Sequence, residues 1–167
     1  METKPQKNEK LEKVRELVGD IHIAMMTTVD EDGHLQSRPM AALEMDESAT
    51  IWFFTKKSSP KVDQIRRTER QVNLAFANVS DASYVSISGT ADELDDQAKI
   101  DELWNPQAKA WFPDGKNDPE LTLLRVRTNM AEYWDSNNST MVRLFQQAAA
   151  AITGNPPNMG ENEKVTN

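Results

Sequence analysis

The sequence predicts a mainly β domain with flanking helices, a mostly antiparallel barrel of about six strands with helices over its open ends. Three observations predict it. Apolar and polar residues alternate through 71–79 and 84–94, the two-residue period of half-buried strands. Helical spacing appears in stretches before, between and after the strand-like runs. Neither an internal repeat nor a linker divides the 167 residues, a length that suits one domain with a real core.

Leu11, Val14, Leu17 and Val18 recur at helical spacing and predict a first helix near residues 7–18, with Gly19 as its stop. IHIAMMTTV (21–29) and HLQSRPMAALEMD (34–46) flank the acidic turn DEDG (30–33), which predicts a β-hairpin. Pro39 assigns its part of the second strand to an edge or a bulge, because it has no N–H for the ladder. The β-branched and aromatic run ATIWFFT (49–55) predicts a third strand. Over 58–70 the β pattern breaks: Ser59 suits a cap, Pro60 a first helical turn, and Val62 with Ile65 a short apolar stripe.

Val72, Leu74 and Phe76 then alternate with Asn73, Ala75 and Ala77, and residues 84–94 alternate again, with Gly89 marking a bulge or close approach. Residues 95–104 predict a helix, with Ala98 and Ile100 through Trp104 giving its apolar side. A loop carrying Trp111, Phe112, Pro113 and Gly115 follows, and 121–135 reads as the last long strand. Met141, Phe145, Ala148 and Ile152 predict a closing helix over 138–154, ended by Gly154. The polar ends, 1–8 and 155–167, are expected as disordered tails around a single domain at 9–154.

Composition closes several functional classes. There is no cysteine, hence no disulfide framework and no thiolate metal site. His22 and His34 read as ordinary strand and turn residues, and Asp30, Glu31 and Asp32 as a solvated turn, so no metal is expected. No apolar run approaches the roughly 20 residues that span a bilayer, and the lysine- and glutamate-rich N-terminus is not signal-like. A cytoplasmic location without a membrane partner is expected. A net charge of −8 repels nucleic acid as a partner, but leaves room for a local basic pocket around one phosphate. No dinucleotide-binding glycine motif, phosphate-binding loop or nucleophile elbow is present.

Three local features stand out. Ser37-Arg38-Pro39-Met40 sets a guanidinium beside a strand irregularity, where it either faces a ligand or lies on the surface. Trp52-Phe53-Phe54-Thr55 runs into Lys56, Lys57, Ser58, Ser59, Pro60 and Lys61. A helix start of that kind attracts phosphate through free N–H groups and the dipole, although a capped helix with solvated lysines has the same composition. Trp104, Trp111 and Trp134, with Phe112, either pack a core or interface or wall a flat conjugated ligand. A phosphate anchor with aromatic walls suits flavin mononucleotide and pyridoxal phosphate equally.

The blocks MMTTVDEDGHLQSRPM (25–40), IWFFTKKSSPKVDQIRR (51–67), YVSISGTADELDD (84–96), LWNPQAKAWFPDGKNDPELTLLRV (103–126) and AEYWD (131–135) resemble the general stress protein 26 family, in order and over most of residues 20–140. That family belongs among the pyridoxamine 5′-phosphate oxidase-like split barrels. The resemblance implies a six-stranded antiparallel split β-barrel homodimer with FMN, or FAD, at the subunit interface. By the same analogy Arg38, Pro39 and Met40 line the flavin. Phe53, Phe54 and Thr55 contact its ring or ribityl chain, and Lys56, Ser59 and Lys61 hold the phosphate. Trp104, Trp111 and Phe112 approach from the other subunit.

Pyridoxamine 5′-phosphate oxidase itself uses a C-terminal arginine–histidine motif. Here no histidine follows His34 and Arg143 alone follows Arg127, which argues against that activity. An FMN-binding, stress-associated oxidoreductase of unspecified substrate is the leading expectation. A non-catalytic flavin carrier or sensor and a cofactor-free dimeric interaction module compete with it.

Overall fold

The computed structural model describes residues 4–135 and 161–166. Helix α1 spans Lys4–Ile21, and three strands follow, β1 (Ile23–Val29), β2 (Leu35–Ala41) and β3 (Glu44–Met45). Strand β4 (Thr50–Lys56) leads into α2 (Pro60–Arg67), then β5 (Gln71–Asn78), β6 (Ser83–Leu94) and α3 (Gln97–Leu103). Two 3-10 turns, Pro106–Ala110 and Gly115–Asn117, precede β7 (Leu121–Asp135), and β8 (Glu161–Thr166) completes the described chain. Among the described residues no helix is long and apolar enough to cross a membrane.

Closure of the sheet follows from its strand order, β2-β1-β5-β6-β7-β4-β3, every pairing antiparallel. Strands β2 and β3 lie at opposite ends of that order, yet Ala42 and Leu43 alone separate them in the chain. The Ala42 N–H donates to the His22 carbonyl beside β1, and the Leu43 N–H donates to the Trp52 carbonyl on β4, both at 2.8 Å. Two consecutive residues therefore bond to the two ends of one sheet, which forces it to curl into a barrel-like form. Pro39 sits on β2, an end strand, where its missing N–H costs no ladder bond.

The alternation expected in β5 is present: Val72, Leu74 and Phe76 are buried with Met26, Phe53, Ile87, Leu124 and Val126 in the main core, and α1 covers one side of it with Val14, Leu17 and Val18. A smaller core lies across β4, where Trp52 packs with Ile100, Phe112, Leu121 and Leu123. Strand β4 is thus apolar on both faces, which is why its sequence shows an aromatic run rather than alternation.

Several expectations change. Among the described residues there are eight strands rather than six. Ala42 and Leu43 split the expected second strand into β2 and β3, and residues 161–166, expected within a disordered tail, form β8 on the outer half of β7. Burial of Val165 in the main core and a 2.9 Å ion pair between Lys10 and Glu163 hold β8 in place. Residues 4–8, expected in the other tail, belong to α1, which ends at Ile21 rather than at Gly19. The stop is His22, left-handed at φ 62, whose N–H returns to the Val18 carbonyl. The expected helix over 138–154 lies outside the described residues.

The outer face of β2, β1, β5, β6 and β7 carries Ile23, Met25, Leu35, Tyr84, Met130 and Trp134, all exposed. Between them lie Ala75, Ala77, Ser86 and Ser88. Such a sheet face is more apolar than a surface in contact with water alone requires.

The β6–β7 register shifts between Ser88 and Gly89, the expected irregularity. A Cβ at Gly89 would lie 2.5 Å from the Arg127 carbonyl oxygen and 2.9 Å from Val126 Cγ1. Because one of those atoms is backbone in the longest strand, Gly89→Ala is expected to cost about 2–3 kcal/mol. Thermal unfolding monitored by circular dichroism should show a Tm lower by roughly 5–10 °C, and an unchanged Tm would show that β7 yields at no cost.

Candidate functional site

Strand β4 separates two groups of candidate residues. Ile51 and Phe53 turn into the main core, while Trp52 and Phe54 face the smaller one. Thr55, next along the inward side, is buried and its Oγ1 has no hydrogen-bond partner.

The first group forms where β1, β2 and α2 meet. Arg38 stands opposite Met26, and Met40 opposite Ala24, so both point inward with those core residues while Pro39 points out. Arg38 Nη1 donates to the Met26 carbonyl at 3.2 Å and to Thr28 Oγ1 at 2.7 Å, and its Nη2 donates to Gln64 Oε1 at 3.2 Å. Thr28 Oγ1 donates to the same Gln64 Oε1 at 2.7 Å, and Gln64 Nε2 donates to Gln36 Oε1 at 3.1 Å. Each acceptor is neutral. The guanidinium is therefore fixed in direction without losing its charge.

Lys61 belongs to the same cluster. Its Nζ donates to Ser59 Oγ at 2.6 Å, so Ser59, although at the N-cap of α2, makes no side-chain bond to the helix backbone. Burial pushes the Lys61 ammonium below its ordinary pKa, and the Arg38 charge pushes it further; burial lowers Arg38 as well. Neither cation makes an ion pair with a carboxylate among the described residues. Its neighbours do: Lys57 pairs with Asp95, Arg66 with Glu93 and Arg67 with Glu31. Lys56 points to solvent at the end of β4.

The second group is aromatic. Phe54 packs against Trp104, with ring centroids 5.8 Å apart, and meets Phe112 edge-on at 6.4 Å. Trp111 does not join them; it is 74% exposed on the turn between α3 and β7. The structure thus brings Arg38, Ser59 and Lys61 together, and separately Phe54, Trp104 and Phe112, with Phe53 and Met40 in the main core.

Thr28 and Gln64 were not singled out by sequence reasoning. Their signals are visible in retrospect: Thr28 is the polar member of an inward series with Ala24 and Met26, and Gln64 follows Lys61 by one helical turn. The Asp30, Asp32 and His34 side chains approach one another, but Asp30 already accepts from the backbone N–H groups of Asp32 and His34 and braces the turn.

Two cations without a carboxylate partner among the described residues, beside the first turn of a helix, favour a doubly charged anion such as a phosphate monoester. Among the described residues no histidine or carboxylate enters this hydrogen-bonded cluster.

Comparison with known proteins gives the same direction. The family described as pyridoxamine 5′-phosphate oxidase like matches residues 9–158. Protein bli-3 of Neurospora crassa is 32% identical over 154 residues, covering 86% of this chain and 73% of that protein. General stress protein 26 of Bacillus subtilis is 26% identical over 137 residues, covering 80% and 94%. Among solved structures, the general stress FMN/FAD binding protein of Xanthomonas citri is 36% identical, with a TM-score of 0.66 over 78% of this chain and 92% of that one. A Jannaschia chain at 24% identity superposes with a TM-score of 0.78 over 95% of this chain and 99% of that one, a likeness of fold. The match over residues 9–158 shows that the chain belongs to the pyridoxamine 5′-phosphate oxidase-like family, and it is similar to general stress protein 26.

Proposed function

We propose that the protein binds a flavin, FMN in preference to FAD, and acts as a stress-associated flavoprotein with oxidoreductase capacity. The observation that carries this reading is the Arg38–Lys61 pair, two half-buried cations held by neutral partners and without a carboxylate partner among the described residues. The site fits the group: a terminal phosphate would supply the missing negative charge beside Arg38 and Lys61. The description of the Xanthomonas citri relative as an FMN/FAD binding protein supports it. One compact anion site at the start of α2 suits a single phosphate, hence FMN.

In this reading Arg38 and Lys61 hold the phosphate with the Ser59 hydroxyl and the first turn of α2, and Lys56 adds a solvent-side charge. Pro39, Met40, Phe53, Phe54 and Thr55 fix the strands on either side. A bound flavin would supply the electron chemistry, and the chain supplies position and water exclusion. Pyridoxamine 5′-phosphate oxidation itself is not proposed, since the chain lacks a histidine after His34. The absence of a proton-transfer group from the described cluster also favours a second reading, a flavin carrier or sensor.

The chain is proposed to act as a homodimer through the apolar outer face of β2, β1 and β5 and the adjoining Tyr84–Ser88 and Met130–Trp134 ends of β6 and β7, where symmetric pairing would cover Ile23, Met25, Tyr84 and Trp134. Trp111, extended into solvent, is then available to a site on the partner, together with the Trp104 and Phe112 turn from which it projects.

The purified protein is expected to be yellow, or to quench FMN fluorescence saturably on titration, with FAD binding more weakly. Lys61→Ala should weaken FMN about ten- to a hundredfold, the range for losing a hydrogen bond to a charged group. Unchanged affinity would remove Lys61 from the site. Persistent oxidised flavin in the presence of NADH or NADPH would favour the carrier or sensor, and rapid bleaching the enzyme.

A pH effect follows from Lys61. Its folded pKa lies below 10.5, so between those values the unfolded chain binds more protons and stability rises with pH. Below that window the cost of the buried charge is fully present. In phosphate-free buffer Lys61→Met should therefore raise Tm at pH 7 and flatten the rise in stability towards pH 10. A lower Tm with an unchanged pH slope would contradict the unpaired-cation account.

Light scattering at micromolar concentration should return the dimer mass, and Met25→Asp the monomer mass. A monomeric parent protein would sink the shared-site arrangement.

A further inference from the structure

A second concentration of positive charge lies on the outer side of β6 and β7, apart from the inward-facing Arg38 cluster. Asp92 is buried, and three guanidinium groups converge on its carboxylate. Arg70 Nη1 reaches Oδ1 at 2.6 Å, while Arg127 Nη2 and Arg125 Nη2 reach Oδ2 at 2.6 and 3.2 Å. Register sets Asp92 opposite Arg125 and Thr90 opposite Arg127, so the two arginines leave the same face of β7, and Arg70 enters from the segment that leads into β5.

Asp92 balances one of the three charges. Glu93 does not supply the rest, because Arg66 engages its carboxylate. Among the described residues no other carboxylate pairs with Arg70, Arg125 or Arg127. Two positive charges are left over in a chain whose net charge is −8.

A brace for one buried aspartate needs one arginine; three on a single carboxylate repel one another unless a further anion joins them. The geometry is also set up in advance. Glu69 and Arg70 are both left-handed, at φ 52 and 63, a conformation unfavourable to residues with side chains, and it delivers Arg70 to Asp92. Arg70 and Arg127 each commit one terminal nitrogen to Asp92 and keep 60% and 51% of their side chains exposed. Arg125 Nε is buried without a hydrogen-bond partner. Guanidinium groups fixed on a common carboxylate, with free N–H edges turned outward, match the oxygens of a phosphoryl group two at a time.

We propose that Arg70, Arg125 and Arg127, anchored on Asp92, form a second anion site that takes a phosphoryl ligand of at least two negative charges.

The test uses the full chain carrying Lys61→Gln, which removes one cation of the first cluster, and inorganic pyrophosphate as the probe in low-salt calorimetry. Saturable binding of one pyrophosphate per chain is expected, weakened at least tenfold by Arg127→Gln and by Arg70→Gln. Each replacement leaves Asp92 paired with two arginines, so the fold should survive, with circular dichroism as the check. Failure to bind, or equal affinity before and after both replacements, would overturn the site. Arginine Nε–Hε signals of the unmutated protein give an independent reading: Arg70 and Arg127 should shift on pyrophosphate addition, and silence at both would also overturn it.

Discussion

Ala42 and Leu43 bond through consecutive backbone N–H groups to strands at opposite ends of the sheet, and the rest of the molecule depends on that junction. A sheet whose ends must meet within two residues has an inside and an outside. Its inside can be filled by Phe53, Phe76, Leu74 and Ile87. The junction also brings β2 round beside the elements that follow β4, so Arg38 meets Gln64 and the field of Lys61 although more than twenty residues separate them in the chain. The cation cluster is a product of closure. An open sheet with the same strands would leave Arg38 on a distant edge.

Charge is handled differently in different parts of the fold. Lys13 and Asp135 tie α1 to the end of β7 at 2.7 Å, and Ser83 completes that carboxylate's bonding at 2.8 Å. Burial alone would raise the Asp135 pKa, but its bonds to Lys13 and Ser83 more than offset this and hold it below the ordinary value. Lys99 meets Glu44 and Glu102 while lying 5.0 Å from the Trp52 ring, which fastens α3 over the smaller core. These are compensated pairs with mechanical roles. Among the described residues Arg38 and Lys61 have no such carboxylate partner, and burial lowers the pKa of both.

Much of the fold was legible because it rests on local periodicity. The alternation of Val72, Leu74 and Phe76, the edge position of Pro39 and the irregularity at Gly89 all follow from side-chain period and backbone chemistry within a few residues. The split at Ala42–Leu43 was not legible, since nothing local distinguishes a strand that continues from one that changes neighbours. Nor was β8: ENEKVT is polar, and the buried Val165 acquires its role from the core it joins with α1 and β7. At the candidate site the charged residues could be named from sequence, while their neutral holders could not. Thr28 and Gln64 look like ordinary polar residues until the barrel closes. The aromatic set divides for the same reason, Trp104 and Phe112 packing on Phe54 while Trp111 stays outside.

Strand β7 has two successive partners along one edge, β4 over its first half and β8 over its second. The first is made before β7 during synthesis and waits for it. The second appears only after at least 25 further residues have been added, since β7 ends at Asp135 and β8 begins at Glu161. In the folded chain β8 covers the stretch from Met130 to Asp135, and Val165 fills the core beneath it. Any state in which β8 is undocked therefore leaves the Met130–Asp135 edge of β7 without its β8 partner and open to other strands, including those of a second chain.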